Sequence, residues 1–186
     1  MDQRGLVERA AGGDQDAFST LLDGSLARLD AAARLILRDR ELARDAVQEA
    51  MVRAWRDLPR LREPERFDAW LHRLTVNACL DLARRRRRRV IEVELTPFDD
   101  RAVADSASLI ADRDLLDHAM RRLDTDARAV VVLRFYLGLS LEEVAGAIGI
   151  TLPAAKSRLY RALAAMRTSI EITDDTTAPV AQERYA

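Results

Sequence analysis

One cysteine, one lysine, two histidines and seven glycines are all that this 186-residue chain offers of residue types on which many sites depend. With Cys79 alone, no intramolecular disulfide can close and no cysteine zinc cluster can assemble. The thiol is expected to pack as a small apolar residue. His72 and His118 are isolated from other ligand types, so neither a metal nor a cofactor is expected. No apolar run approaches the roughly 18 residues of a membrane span. The opening stretch MDQRGLVERAAGGDQDAF lacks the basic-then-apolar order of a secretion signal. The chain has no nucleophile–base set and no glycine-rich phosphate loop, which argues against an enzyme. Together these absences describe a soluble cytosolic protein. At 48% hydrophobic it can bury a core, and its length suits one ordinary domain or two small ones.

The shortage of lysine shapes what is present. Lys156 stands alone, so the basic residues are almost all arginine. That pattern fits phosphate-binding forks, and it equally fits the codon usage of a GC-rich genome. The formal net charge is −1, so distribution says more than the total. Residues 66–89 hold eight arginines, six of them consecutive at Arg84 to Arg89, against Asp68 and Asp81. Residues 90–112 hold six acids against Arg101. Residues 151–170 carry Lys156, Arg158, Arg161 and Arg167 and no acid. Two basic elements flank an acidic one.

Helical periodicity dominates and no period of two is sustained. One helix is predicted from the capping Asp14 through DAFSTLLDGSLARLDAAARLILRD, apolar at Phe18, Leu21, Leu22, Leu26, Leu29 and Ala33. A second opens around Asp39, with Ala43, Val47, Ala50, Met51, Ala54 and Trp55 inward and Asp45, Gln48, Glu49 and Arg56 outward. Pro59 and Pro64 break the pattern in LPRLREPER. A third helix buries Phe67, Trp70, Leu71, Leu74, Ala78 and Leu82. On its other face Arg66, Arg73, Asn77, Asp81 and Arg84 line up, and Asp81 reads as a salt-bridge partner for Arg84 or Arg85. The acidic stretch 90–112 reads as a flexible linker. Helices resume at RDLLDHAMRRL and DTDARAVVVLRFYLG, where Val130, Val131 and Val132 read as buried helix. Residues 173–186 read as a disordered tail. The fold class expected is all-α, two small helical domains joined by a flexible acidic linker.

The segment LSLEEVAGAIGITLPAAKSRLYRALAAMR reads as a helix-turn-helix. Ser140 and Glu143 form a capping box, Ala145 is small where helices cross, and Gly149 supplies a permissive turn. Thr151 caps the second helix and Pro153 sits in its first turn. That helix exposes Lys156, Ser157, Arg158 and Arg161 and buries Leu159, Leu163 and Met166. A basic first half suits a helix entering a DNA major groove.

The segments GDQDAF (13–18), DAVQEAMVRAW (45–55), FDAWLHRLTVNACLDLARRRRR (67–88) and LSLEEVAGAIGITLPAAKSRLYRAL (139–163) occur in this order. Together they resemble the extracytoplasmic-function group of bacterial sigma factors over about residues 6 to 170. The resemblance implies a region-two helical bundle over 1–89, a linker over 90–112, a region-four helix-turn-helix over 113–172, and a tail over 173–186. It implies a non-catalytic subunit that binds core RNA polymerase at its clamp and flap and directs promoter-specific initiation. Asp45, Gln48 and Glu49 would dock the clamp. Arg60, Arg62, Arg66, Arg73, Asn77 and Arg84 would hold minus-ten promoter DNA. Thr151, Lys156, Ser157, Arg158 and Arg161 would read the minus-thirty-five element. An anti-sigma protein is the further partner implied.

The sequence departs from the family pattern in two places. Pro153-Ala154-Ala155 replaces a common glycine–threonine–valine step, and the LPRLREPER loop lacks an aromatic residue to stack on a flipped base. On the residues alone, Asp45–Gln48–Glu49 reads as a solvated helix face, and Asn77 could cap or bridge helices. A stand-alone helix-turn-helix regulator, acting as a dimer on a palindrome, would explain residues 139–167 but leave DAVQEA and the 67–88 helix without a purpose. Of the arginine run, Arg84 with Arg87 or Arg88 would continue the Arg73–Asn77 face toward phosphate. The others would be solvated or meet polymerase.

Overall fold

The computed structural model describes residues 2–92 and 109–177, with side chains at 2–88 and 114–172. Nine α-helices and no strand occur among the described residues. In the first half they are α1 (Gln3–Ala11), α2 (Gln15–Asp23), α3 (Leu26–Leu37), α4 (Arg40–Asp57) and α5 (Phe67–Glu92). The second half holds α6 (Leu109–Arg121), α7 (Thr125–Val131), α8 (Leu141–Ile148) and α9 (Leu152–Thr177). None of these helices is long and apolar enough to cross a membrane. The middle of the predicted linker (93–108) and the predicted tail beyond 177 lie outside the described residues. Within the described ones, α5 runs past residue 89, α6 begins before residue 113, and α9 passes residue 172.

Aspartates start four of the nine helices. The carboxylates of Asp14, Asp39 and Asp124 accept the backbone N–H three residues on, at 3.0, 3.0 and 2.7 Å. Two features were not anticipated. The segment Gln3–Ala11 is a helix, burying Leu6, Val7 and Ala10 from only three well-spaced apolar positions. The single helix expected after Asp14 is two, divided at Gly24 and Ser25. The break turns Leu26 outward, where it is 43% exposed.

Helix α5 differs most from expectation. Phe67, Leu71 and Ala78 are buried as predicted, and Trp70, Leu74 and Leu82 are half-buried. Yet His72, Thr75, Val76, Cys79 and Leu80 are buried too. The helix is covered on two sides, by α4 and by α8. One apolar cluster, with Leu29, Phe67 and Leu71, fills the space among α1 to α5. A second is shared by both halves: Ala33, Ile36, Val76 and Cys79 lie in it with Val130, Leu133, Val144 and Ile148. The two units therefore pack against each other. Burial pushes the Cys79 thiol up to about 12, so it behaves as the small apolar residue expected.

Candidate nucleic-acid interface

On α4 the helical register fixes which side chains face outward. Ala43, Ala46, Val47, Ala50 and Ala54 are buried, which turns Asp45 and Gln48 to solvent. Glu49 is half-buried and drawn sideways by ion pairs with Arg53, one turn on, and with Arg85 of α5 at 3.6 Å. Val52 lies on the same outward side and is 62% exposed. An exposed branched apolar residue among polar neighbours has the make-up of an interface centre. It was missed because the sequence reading sorted this face by polarity alone.

The LPRLREPER segment folds as two short 3-10 turns, Leu58–Arg60 and Pro64–Arg66, each with proline near its start. Leu58 is buried in the core and Leu61 is half-buried, so the loop is anchored from beneath. Helix α1 braces it from the side, with Arg4 lying 3.6 Å from Glu65 and Gln3 bonding Asp68 at 3.3 Å. The arginines stay at the surface. Arg60 is only loosely paired with Asp57 at 3.9 Å, Arg66 meets Glu63 at 2.6 Å, and Arg62 is exposed. Arg56, followed by Arg60, keeps the Asp57 carboxyl below its ordinary range.

Along α5, Arg73 is exposed and Asn77 half-buried. The arginine run divides. Arg84 lies 3.5 Å from Asp81, which Arg53 also approaches at 3.5 Å. Arg85 reaches Glu49, and Arg86 bonds Asp39 at 2.5 Å. Burial opposes ionisation of Asp39, but the Leu42 N–H and the Arg86 guanidinium together hold its carboxyl below the usual range. Three of the run thus tie α5 to itself and to α4. Arg87 and Arg88 are exposed and make no ion pair among the described residues. Asp81 bridges Arg84 and Arg53, where Arg84 or Arg85 was expected.

In the second unit the helix-turn-helix forms as its sequence requires. Ser140 and Glu143 exchange side-chain and backbone hydrogen bonds at 3.2 and 2.8 Å, a complete capping box. Gly149 adopts φ 72°, where a side chain would be strained. Thr151 Oγ1 accepts from Ala154 N–H at 3.4 Å. Ala155, Leu159, Ala162 and Met166 pack inward, leaving Lys156, Ser157 and Arg161 exposed. Arg158 is less free than predicted, lying 3.6 Å from Asp126 of α7. Tyr160 is 69% exposed between Lys156 and Arg161. The 3.6-residue register of the buried positions already places it there.

The minus-ten candidates thus lie along the loop and α5, with Arg84 about three turns beyond Arg73. The minus-thirty-five candidates share another, on α9 of the second unit. No group of three or more His, Cys, Asp or Glu suited to a metal occurs among the described residues.

Comparison with known proteins assigns both units to one family. Residues 21–89 match sigma-70 region 2, and residues 113–166 match sigma-70 region 4. The chain is 35% identical over 160 residues to the ECF RNA polymerase sigma factor SigM of Mycobacterium tuberculosis, covering 86% of this chain and 80% of that one. It is similar to the solved structure of CnrH in complex with the cytosolic domain of CnrY, at 31% identity and a TM-score of 0.62. That match covers 95% of this chain and 100% of the other. The sigma factor RpoE in complex with the anti-sigma factor NepR, from Bartonella quintana, shares the fold at a TM-score of 0.64. Its identity is 24%, over 83% of this chain and 97% of that one.

Proposed function

The chain belongs to the extracytoplasmic-function sigma factors of the sigma-70 family, and on that premise we propose how it divides the work of promoter recognition. It binds core RNA polymerase and directs initiation at promoters carrying minus-ten and minus-thirty-five elements; polymerase supplies the chemistry. Residues 1–89 take the polymerase clamp and the minus-ten element. Asp45, Gln48 and Val52 form the exposed clamp face, with Glu49 held at its edge. Arg60, Arg62 and Arg66 meet the minus-ten strand, and Arg73, Asn77 and Arg84 the adjacent backbone. Residues 113–172 take the flap and the minus-thirty-five element, through Thr151, Lys156, Ser157, Tyr160, Arg158 and Arg161.

The observation that carries this reading is the pairing, in one chain, of the exposed Asp45–Gln48 face with a reader helix on a separate unit that carries no acid before Glu171. A stand-alone regulator would need only the second. A net charge of −1 suits a subunit whose DNA contacts are joined through polymerase. Two weak contacts so linked gain effective concentration, and neither must bind tightly alone. The protein works in the cytoplasm, where polymerase and chromosome are. Since CnrH, 31% identical to this chain, is known in complex with the cytosolic domain of another protein, CnrY, we infer that a protein partner, of the anti-sigma kind, holds this chain as well.

Run-off transcription with core polymerase tests the reading. The full chain should start discrete transcripts. D45A/Q48A should lower core affinity without changing the melting temperature. A chain that neither binds core nor starts transcripts would end the proposal.

A further inference from the structure

The loop assigned to the minus-ten strand, taken with the first residues of α5, carries no net charge of its own. From Arg60 to Asp68, three arginines (Arg60, Arg62 and Arg66) stand against three acids, Glu63, Glu65 and Asp68. A DNA strand presents a row of phosphates, so acids left unpaired beside the arginines would oppose its approach. Each acid is engaged. Arg66 holds Glu63 within the loop at 2.6 Å. The other two are met from α1, which lies outside the stretch matched to region 2, beginning at residue 21. Arg4 lies between two carboxylates, with Nε 3.0 Å from Glu8 Oε1 and Nη1 3.6 Å from Glu65 Oε1. Gln3 donates through Nε2 to Asp68 Oδ2 at 3.3 Å. Beneath these surface contacts, Leu6, Val7 and Ala10 of α1 share an apolar cluster with Leu58 and Phe67, and half-buried Leu61 packs against it. Leu58 and Leu61 are the loop's two leucines. Helix α1 thus sets both the seat of the loop and the charge along its rim.

Resting on the sigma reading above, we propose that Arg4 is a positioning residue for the minus-ten strand, acting from α1 by masking the carboxylate of Glu65. Without Arg4, Glu65 stands uncompensated among arginines that serve phosphate. A like charge within one Debye length of the strand, about 10 Å at 0.1 M salt, repels it. The side chains of Arg4 and Glu65 are 61% and 62% exposed, and exposed pairs add little to folding. The effect of this pair therefore falls on the strand and not on stability. The apolar residues of α1 suffice to close the core without it. Gln3 stands in the same relation to Asp68, but it adds no charge, and Asp68 already benefits from the positive start of α5. Of the two contacts from α1, the one at Arg4 governs strand binding more.

The test uses holoenzyme assembled from core polymerase and the full chain. Wild type, R4Q, E65Q and the double variant R4Q/E65Q are compared by fluorescence anisotropy. The probe is a labelled single strand carrying the minus-ten element of a promoter that the wild type transcribes. R4Q should lose about two- to fivefold in affinity at 0.1 M salt, the effect of one exposed carboxylate near phosphate. The loss should fade as salt rises and the screening length falls below about 10 Å. E65Q alone should bind at least as tightly as wild type. R4Q/E65Q should recover wild-type affinity, because E65Q removes the charge that Arg4 masks. Thermal melts should agree among all four, since both side chains are exposed, and binding to a minus-thirty-five duplex should not change. An R4Q holoenzyme that binds the strand as wild type does would overturn the masking. So would a loss that E65Q fails to restore, or one that is equal at low and high salt. A wild type that neither binds core nor starts transcripts would remove the sigma reading, and the role of Arg4 with it.

Discussion

Replacing two adjacent pairs of the arginine run separates its structural part from its DNA-binding part. In R85Q/R86Q, Asp39 loses the partner that lies 2.5 Å away, although its side chain is only 16% exposed. Asp39 still caps α4 through the Leu42 N–H, so the helix start survives but the carboxylate stays partly desolvated. A charge-assisted bond of this kind contributes about 1.5–3 kcal/mol when well buried, and with Arg86 35% exposed the lower end applies. The looser Arg85–Glu49 pair at 3.6 Å adds about 0.2–1 kcal/mol. A total of about 2 kcal/mol in a chain of this size lowers Tm by about 4–8 °C. In R87Q/R88Q no described ion pair is lost, so Tm should hold to within about 2 °C. The order reverses in promoter binding. Each phosphate contact contributes about 0.9 to the slope of log affinity against log salt, so removing both arginines should flatten that slope by up to about 1.8. Differential scanning fluorimetry and salt titrations of holoenzyme on promoter DNA read the two quantities. Equal Tm losses in the two variants, or a slope change confined to R85Q/R86Q, would refute the division.

Three further outcomes follow from other parts of the molecule. Burial pushes the His72 imidazole below its ordinary value, with Arg28 adding to the effect and Asp68 and Glu143 opposing it. The folded protein then binds fewer protons at His72 than the unfolded chain, so this contribution to stability is fully present above about pH 6.5 and weakens as pH falls below it; differential scanning fluorimetry should show a larger Tm loss between pH 7.5 and 5.5 in the wild type than in H72Q. Y160A should weaken binding to a minus-thirty-five duplex, measured by fluorescence anisotropy, while leaving Tm unchanged because the ring is 69% exposed. S140A breaks the capping box and should cost about 1 kcal/mol, a Tm loss of about 2–4 °C, with minus-thirty-five binding falling only on approach to that lower Tm.

Sequence pattern revealed the parts of this fold that are local. The caps at Asp14, Asp39 and Ser140, the left-handed turn at Gly149 and the inward face of α9 each depend on residues within a turn or two of one another. It did not reveal which second surface α5 would meet. Val76, Cys79 and Leu80 look in sequence like ordinary members of a helix with one broad apolar stripe. They join one cluster with residues of α3 and α4 and with Val144 and Ile148 of α8, about seventy residues downstream, an approach that local pattern does not show. The charged residues follow the same rule. An i,i+3 pair such as Asp81–Arg84 is written in spacing, but Arg86–Asp39 and Arg38–Asp117 join residues 47 and 79 positions apart. Nothing in local pattern distinguishes Arg86, bound to a cap, from Arg87, exposed beside it.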